Sequence, residues 1–259
     1  SAVILAVAAI LLFRFLGNPF LGFKRGHYGE KLELDSASSY SSAKYTGGVA
    51  LFGKDGIRGI SNTGRTAWTV DFSSSQPVLI ASGEYLLAAE RNGKALKLLK
   101  GGREKCSLSI DGNMISCNVN RNGYFVVVSS ERGYKAKVTA YDKKGQSLYT
   151  WHSAENNVIS CAISDSGKTM ALSVLNSENP KEISNVMIFD IKGDDIVTAA
   201  ANENNLISNV IFYGNKILAV GDRESIYYSY RGEIRKTIDS KGRTLQEFCC
   251  YSDGILTMG

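Results

Sequence analysis

From residue 47 onward, short apolar runs alternate with polar positions at period two, and glycines punctuate the runs at two regular spacings. Such alternation predicts half-buried strands, and a glycine between two runs predicts a hairpin turn, because glycine accepts positive φ without steric cost. One series contains Gly83, Gly123, Gly167, Gly214 and Gly254, with steps of 40, 44, 47 and 40. The other contains Gly64, Gly102, Gly145, Gly193 and Gly232, with steps of 38, 43, 48 and 39. The two interleave, so every repeat holds one member of each.

The flanking positions test the repeat. Four residues before the first-series glycines stand Leu79, Val119, Ile163, Val210 and Cys250, and three after them Leu86, Val126, Met170, Ile217 and Thr257. Four before the second-series glycines stand Ile60, Leu98, Tyr141, Phe189 and Tyr228, and six after them Val70, Leu108, Trp151, Ala199 and Ile238. Nineteen of these twenty positions are apolar, far beyond chance.

Each unit therefore predicts strand, glycine turn, strand, short loop, strand, glycine turn, strand. The best-preserved copy has its strands at SCNV, YFVVVSS, KAKVTAY and QSLYTWH. Four antiparallel strands every 40 to 48 residues is the period of a propeller blade. The predicted fold is an all-β propeller of four-stranded antiparallel blades spanning 47–259. A β-sandwich lacks this register, and solenoid coils are shorter. The blades are expected to begin near Gly47-Gly48, Gly83, Gly123, Gly167 and Gly214, with part of a sixth opening at FCCYSDGILTMG. About five complete blades and a fragment imply a ring of seven or eight that continues past Gly259. Residues 24–46 are expected to be a linker, with EKLELD at 30–35 as a candidate closing strand. The polar insertion NSENPKEIS, roughly Asn176 to Ser184, is expected to be an exposed hairpin tip.

Two stretches resemble known propeller repeats. Ser61-Asn62-Thr63-Gly64-Arg65-Thr66-Ala67-Trp68 is similar to the tryptophan-docking motif of quinoprotein repeats: Thr-Gly, a base, two residues, then Trp. The resemblance implies that Trp68 packs between adjacent blades, with Tyr149 as its counterpart; Cys106, Val197 and Lys236 hold the position elsewhere. Ser164-Asp165-Ser166-Gly167-Lys168 followed by TMALSV resembles the first-to-second-strand turn of WD-like propellers. Together with its apolar leader, the chain resembles an uncharacterised bacterial family of membrane-anchored propellers. These motifs specify fold far better than chemistry. On the same placement Trp151 is expected at a blade interface, and Trp68→Ala to cost about 3–5 kcal/mol if the ring is buried.

The first 23 residues differ. SAVILAVAAILLF, Arg14 and FLGNPFLGF predict a signal-anchor transmembrane helix over 1–23, although the uninterrupted apolar run before Arg14 falls short of a full span. A cleaved signal peptide and a buried helix remain open; no small-residue cleavage site follows the apolar run. Lys24 and Arg25 would hold the downstream end in the cytoplasm unless upstream bases outweigh them. The favoured expectation is a single-pass protein of the cell membrane with an extracytoplasmic propeller, and deletion of 1–26 is expected to yield a soluble folded domain.

Composition excludes several functions. Apolar residues form 44% and charged residues 21% of the chain, which suits a folded domain. Of 30 bases, Arg14, Lys24 and Arg25 lie in the acid-free first 26 residues, so 27 face 25 acids elsewhere. No basic stripe for nucleic acid appears.

Candidate chemistry is sparse. His27 falls in the linker and His152 ends a strand, too few for a histidine metal centre. Cys117 and Cys161 both stand six residues before their turn glycine, where other copies have Pro77, Ser208 and Phe248; they read as small buried packing residues. The adjacent Cys249-Cys250 is the sharper case, since some quinoprotein dehydrogenases set a vicinal disulfide against their cofactor. Asp194-Asp195 reads as a solvated turn. No catalytic, cofactor-binding or metal-binding residue is assigned, and pyrroloquinoline quinone is not expected to bind. The expected function is a non-catalytic binding or scaffold module for a protein or cell-envelope polymer. The alternative is a propeller enzyme, quinoprotein-type oxidoreductase, lyase or hydrolase, with its site at the central channel.

Overall fold

The computed structural model describes residue 34 and residues 38–176, 183–193, 195–242, 247–251 and 254–258. Five four-stranded antiparallel sheets follow one another along the chain. The first holds β1 (Ser41–Tyr45), β2 (Gly48–Gly53), β3 (Gly56–Ser61) and β4 (Thr66–Val70). The second holds β5 (Pro77–Ser82), β6 (Tyr85–Glu90), β7 (Ala95–Lys100) and β8 (Arg103–Ser109). The third holds β9 (Met114–Val119), β10 (Phe125–Glu131), β11 (Tyr134–Tyr141) and β12 (Ser147–Ser153). The fourth holds β13 (Asn157–Ile163), β14 (Thr169–Asn176), β15 (Ile183–Asp190) and β16 (Ile196–Glu203). The fifth holds β17 (Ile207–Tyr213), β18 (Lys216–Gly221), β19 (Glu224–Tyr228) and β20 (Ile234–Asp239), and a hairpin of β21 (Glu247–Tyr251) and β22 (Gly254–Met258) follows.

Every sheet is a simple meander, so these are propeller blades. The first strands β1, β5, β9, β13 and β17 pack side by side from blade to blade, which makes them the inner strands. In an up-and-down meander, the first and third turns share one end of the ring, and the second turn shares the other with the blade-to-blade connections. Both glycine series therefore lie on one face, the turn end. The positive φ values of Gly64, Gly102, Gly145 and Gly232 are 83°, 80°, 81° and 80°, so the outer hairpins repeat in conformation as well as spacing.

The core is a set of seams between blades. Tyr45, Phe52 and Ile57 of the first blade meet Leu79, Leu86 and Leu99 of the second. Leu87, Leu96 and Leu98 of the second meet Met114, Cys117 and Phe125 of the third. Val126, Val138 and Ala140 of the third meet Cys161, Met170 and Phe189 of the fourth. Ala171, Val186 and Ile188 of the fourth meet Ile207, Ile217 and Tyr228 of the fifth. Burial on both faces explains why β6, β10 and β14 are almost continuously apolar.

Several sequence expectations are corrected. Ser41–Tyr45, read as linker, is the inner strand of the first blade, and Tyr45 is buried. The predicted tip at Asn176–Ser184 begins and ends in strand, for Asn176 pairs with Ile183 and Leu175 with Ser184. Ser184 is 1% exposed, because its hydroxyl accepts the Ile207 N–H at 3.1 Å; Ser173 donates to the Ile207 carbonyl at 2.5 Å. Two buried serines thus satisfy the backbone of the neighbouring inner strand. Ile238, one of the aligned apolar positions, is 42% exposed on the wholly exposed β20. The apolar stretch 1–23, His27 and all of 30–35 but Leu34 lie outside the described residues. Among the described residues no helix is long and apolar enough to cross a membrane.

Candidate functional site

The inner strands frame a channel, and its two ends differ. At the turn end a cavity of about 410 Å³ is walled by β5, β9, β13 and β17, from Ile80–Ser82 through Asn118–Asn120 and Ala162–Asp165 to Val210–Phe212. The wall mixes apolar residues with polar groups at Ser82, Asn118, Asn120 and Asp165, and is about as polar as it is apolar. The rim is held from one blade to the next: the Asn120 amide donates to the Ser164 carbonyl at 2.6 Å, and Asn122 to the Asp165 carbonyl at 2.8 Å. The Asn120 side-chain oxygen also accepts the N–H groups of Asn122 and Tyr124. Arg121 reaches across to the Asp165 carboxylate at 2.5 Å, with both side chains largely in solvent. On the far wall Phe212 meets Tyr230 edge-on, with centroids 5.4 Å apart. Burial, and secondarily the Asp165 charge, pushes the Tyr230 phenol pKa upward.

At the connection end, three inner strands are bulged. The ladder skips Ile115 between Met114 and Ser116, Ile159 between Val158 and Ser160, and Ser208 between Ile207 and Asn209. A bulge turns one side chain away from the packed faces. Ile115 and Ile159 are accordingly 38% exposed, and Leu206 beside the third bulge is 42% exposed. Three successive blades thus present apolar side chains at one mouth.

Between the second and third blades on the same end lies a groove of about 480 Å³ lined by Lys94, Asp111, Asn113, Glu131, Arg132 and Lys137. His152 Nδ1 stands 3.3 Å from Glu131 and its ring meets Tyr134 edge-on. Lys137 lies 3.6 Å from Asp111. His152 does not line the groove itself but stands beside Glu131, which does. Among the described residues no group of three His, Cys, Asp or Glu has metal-site geometry.

The other singled-out residues resolve as follows. Trp68 lies at the first seam as the docking resemblance implies. Its indole donates to the Tyr45 hydroxyl at 2.9 Å, and a Cβ on Gly102 of the next blade would lie 2.4 Å from its ring. Gly59 faces the ring with equally little room. Trp68 is only half-buried, so the expected cost of its removal falls below that of a core ring. Trp151 and Tyr149 pack on Phe189 of the fourth blade, at 5.2 and 6.0 Å between centroids. Cys117 and Cys161 are buried, which pushes Cys117 up to about 12 and Cys161 higher still; both are inert thiols. Cys249 and Cys250 pair across β21–β22 with Leu256 and Ile255. Asp195 lies in the exposed turn before β16; Asp194 is outside the described residues.

Ile115 and Ile159 stand eight residues before Gly123 and Gly167, and Leu206 eight before Gly214. That spacing was the available signal for the exposed patch. Nothing in the sequence pairs Arg121 with Asp165, which meet only because successive blades are neighbours.

No curated protein matches the chain in sequence. Its fold is similar to solved propellers. These include the Dos1 propeller (TM-score 0.58, 11% identity, covering 87% of this chain and 67% of that one). The Neurospora crassa Pan2 WD40 domain is another (0.55, 12%, 83% and 69%). Chaetomium thermophilum Sqt1, solved bound to the N-terminus of ribosomal protein L10, is a third (0.56, 15%, 81%). This chain spans 64% of the length of that Sqt1 chain. At such identities the likeness establishes the β-propeller fold and nothing finer. The sequence profile of the family of unknown function DUF5711 matches residues 23–257, and the chain belongs to that family.

Proposed function

We propose that this chain is a non-catalytic binding propeller that docks a protein partner on its connection end. The observation that carries the reading is the exposure of Ile115, Ile159 and Leu206 on three consecutive blades. Exposed apolar groups gathered at one mouth mark interaction surfaces, where a few buried anchors supply most of the affinity. Solved propellers of similar fold support it by analogy, one of them bound to a ribosomal-protein segment. The apolar stretch 1–23 fits a membrane anchor that would hold the propeller at the cell envelope; an extracytoplasmic propeller requires upstream bases that outweigh Lys24 and Arg25.

Affinity capture from native membranes with the full-length protein tests the docking surface. The Ile115→Asp/Ile159→Asp variant should lose the captured partner while melting as the wild type does, because both side chains already face solvent. Equal capture by a folded variant would remove this surface from the reading.

A further inference from the structure

We propose that the cavity at the turn end is a receptor for an arginine side chain of a peptide segment, and that Arg121 is the internal guanidinium which that arginine displaces. The site is distinct from the apolar patch at the opposite mouth and does not depend on it.

The cavity wall carries one ionisable group, Asp165, and its charge selects a cation. The carboxylate already holds a guanidinium, that of Arg121, at 2.5 Å. The Arg121 side chain is 70% exposed and that of Asp165 45%. An exposed pair of this kind contributes about 0–1 kcal/mol, so the occupant leaves at little cost. An arginine entering from outside would keep the carboxylate contact and add what Arg121 on the rim lacks. Its methylenes would lie along Ile80 and Ile211, the half-buried isoleucines of the wall. The Asn118 amide and Ser82 hydroxyl, which have no side-chain partner among the described residues, face the same space. The Phe212 ring, braced by Tyr230, offers a face for the guanidinium plane. Lysine matches the charge but neither the planar fork nor the stacking, so arginine is the better fit.

The receptor is also held in place before any ligand arrives. Asn120 and Asn122 of the third blade pin the backbone of Ser164 and Asp165 on the fourth. With the backbone fixed this way, only the Asp165 side-chain torsions remain to be ordered on binding.

The test is titration of the full chain with the acetylated tripeptide amide Ala-Arg-Ala, followed by calorimetry and by the side-chain amide NMR signal of Asn118. The citrulline and lysine tripeptides serve as comparisons. The arginine peptide should bind and shift the Asn118 signal; the citrulline peptide, isosteric but neutral, should do neither, and the lysine peptide should bind more weakly. Asp165→Asn should weaken binding about tenfold or more, as removal of a charge-assisted hydrogen bond does. Arg121→Ala should tighten it about threefold or more, because the competing guanidinium is gone. That gain is the decisive readout, since a misfolded variant cannot bind better and a purely structural ion pair gives no gain. Unchanged or weaker binding by Arg121→Ala, or equal binding of the citrulline peptide, overturns the proposal.

Discussion

The first and third seams of this propeller solve one problem in two ways. Between the first and second blades a single indole fills the outer part of the seam, and it fits because Gly59 and Gly102 leave bare backbone on either side. Between the third and fourth blades the aromatic mass is divided, with Tyr149 and Trp151 on one side and Phe189 on the other. There the turn glycine is released from duty. Gly193 has no positive φ, and a Cβ on it would approach nothing closer than Asp190 at 3.4 Å. A seam therefore needs its volume filled, and which blade supplies the ring decides which glycine becomes obligatory.

The sharpest way to break this comparison is Phe189→Ala. The ring is fully buried and two aromatic side chains rest on it, so the loss should be about 3–5 kcal/mol by denaturant unfolding. The same variant should speed alkylation of Cys161, which shares this seam, more than that of Cys117, which belongs to the second and third blades. At pH 8 both buried thiols of the native protein should stay unlabelled while the half-buried Cys106 reacts first. Equal acceleration at both cysteines would show that the seams open together.

Trp68→Ala should cost less, about 2–3 kcal/mol, because the indole is only half-buried. An unchanged melting temperature would remove Trp68 from the seam.

The glycines separate the two designs at smaller energies. Gly102→Ala should destabilise by about 1–2 kcal/mol from its left-handed backbone alone, and more as the indole is pushed aside. Gly193→Ala should lie within about 0.5 kcal/mol of wild type. Equal effects at Gly102 and Gly193 in parallel melts would mean that the two hairpins are equivalent after all.

Much of this was legible in the chain. The two glycine series fall in the predicted hairpins, and the strands of the third blade lie where SCNV, YFVVVSS, KAKVTAY and QSLYTWH stand. Register was less secure. Spacing aligned Ser208 with Cys117 and Cys161, yet counted from the bulges Ser208 matches Ile115 and Ile159, and Val210 takes the buried slot. The turn of the fifth blade is shorter, with Tyr213 pairing directly with Lys216. Because side chains alternate with period two, a two-residue slip leaves the apolar rhythm intact and hides the error. The insertion misled for a related reason: Ser184 looks like a surface residue, but its hydroxyl serves a backbone group on another blade.

The sequence by itself determined the repeat, the blade, the position of the glycine turns among the described residues, and the identity of most seam residues. Those features follow from local rules of strand periodicity and turn conformation. Only the tertiary structure decided that Gly102 closes over Trp68, that Arg121 grips Asp165, and that Ile115 and Ile159 leave the packed faces. These are relations between residues a full repeat apart or changes in a ladder. A periodic pattern marks which positions are buried, but it does not say which neighbour buries them.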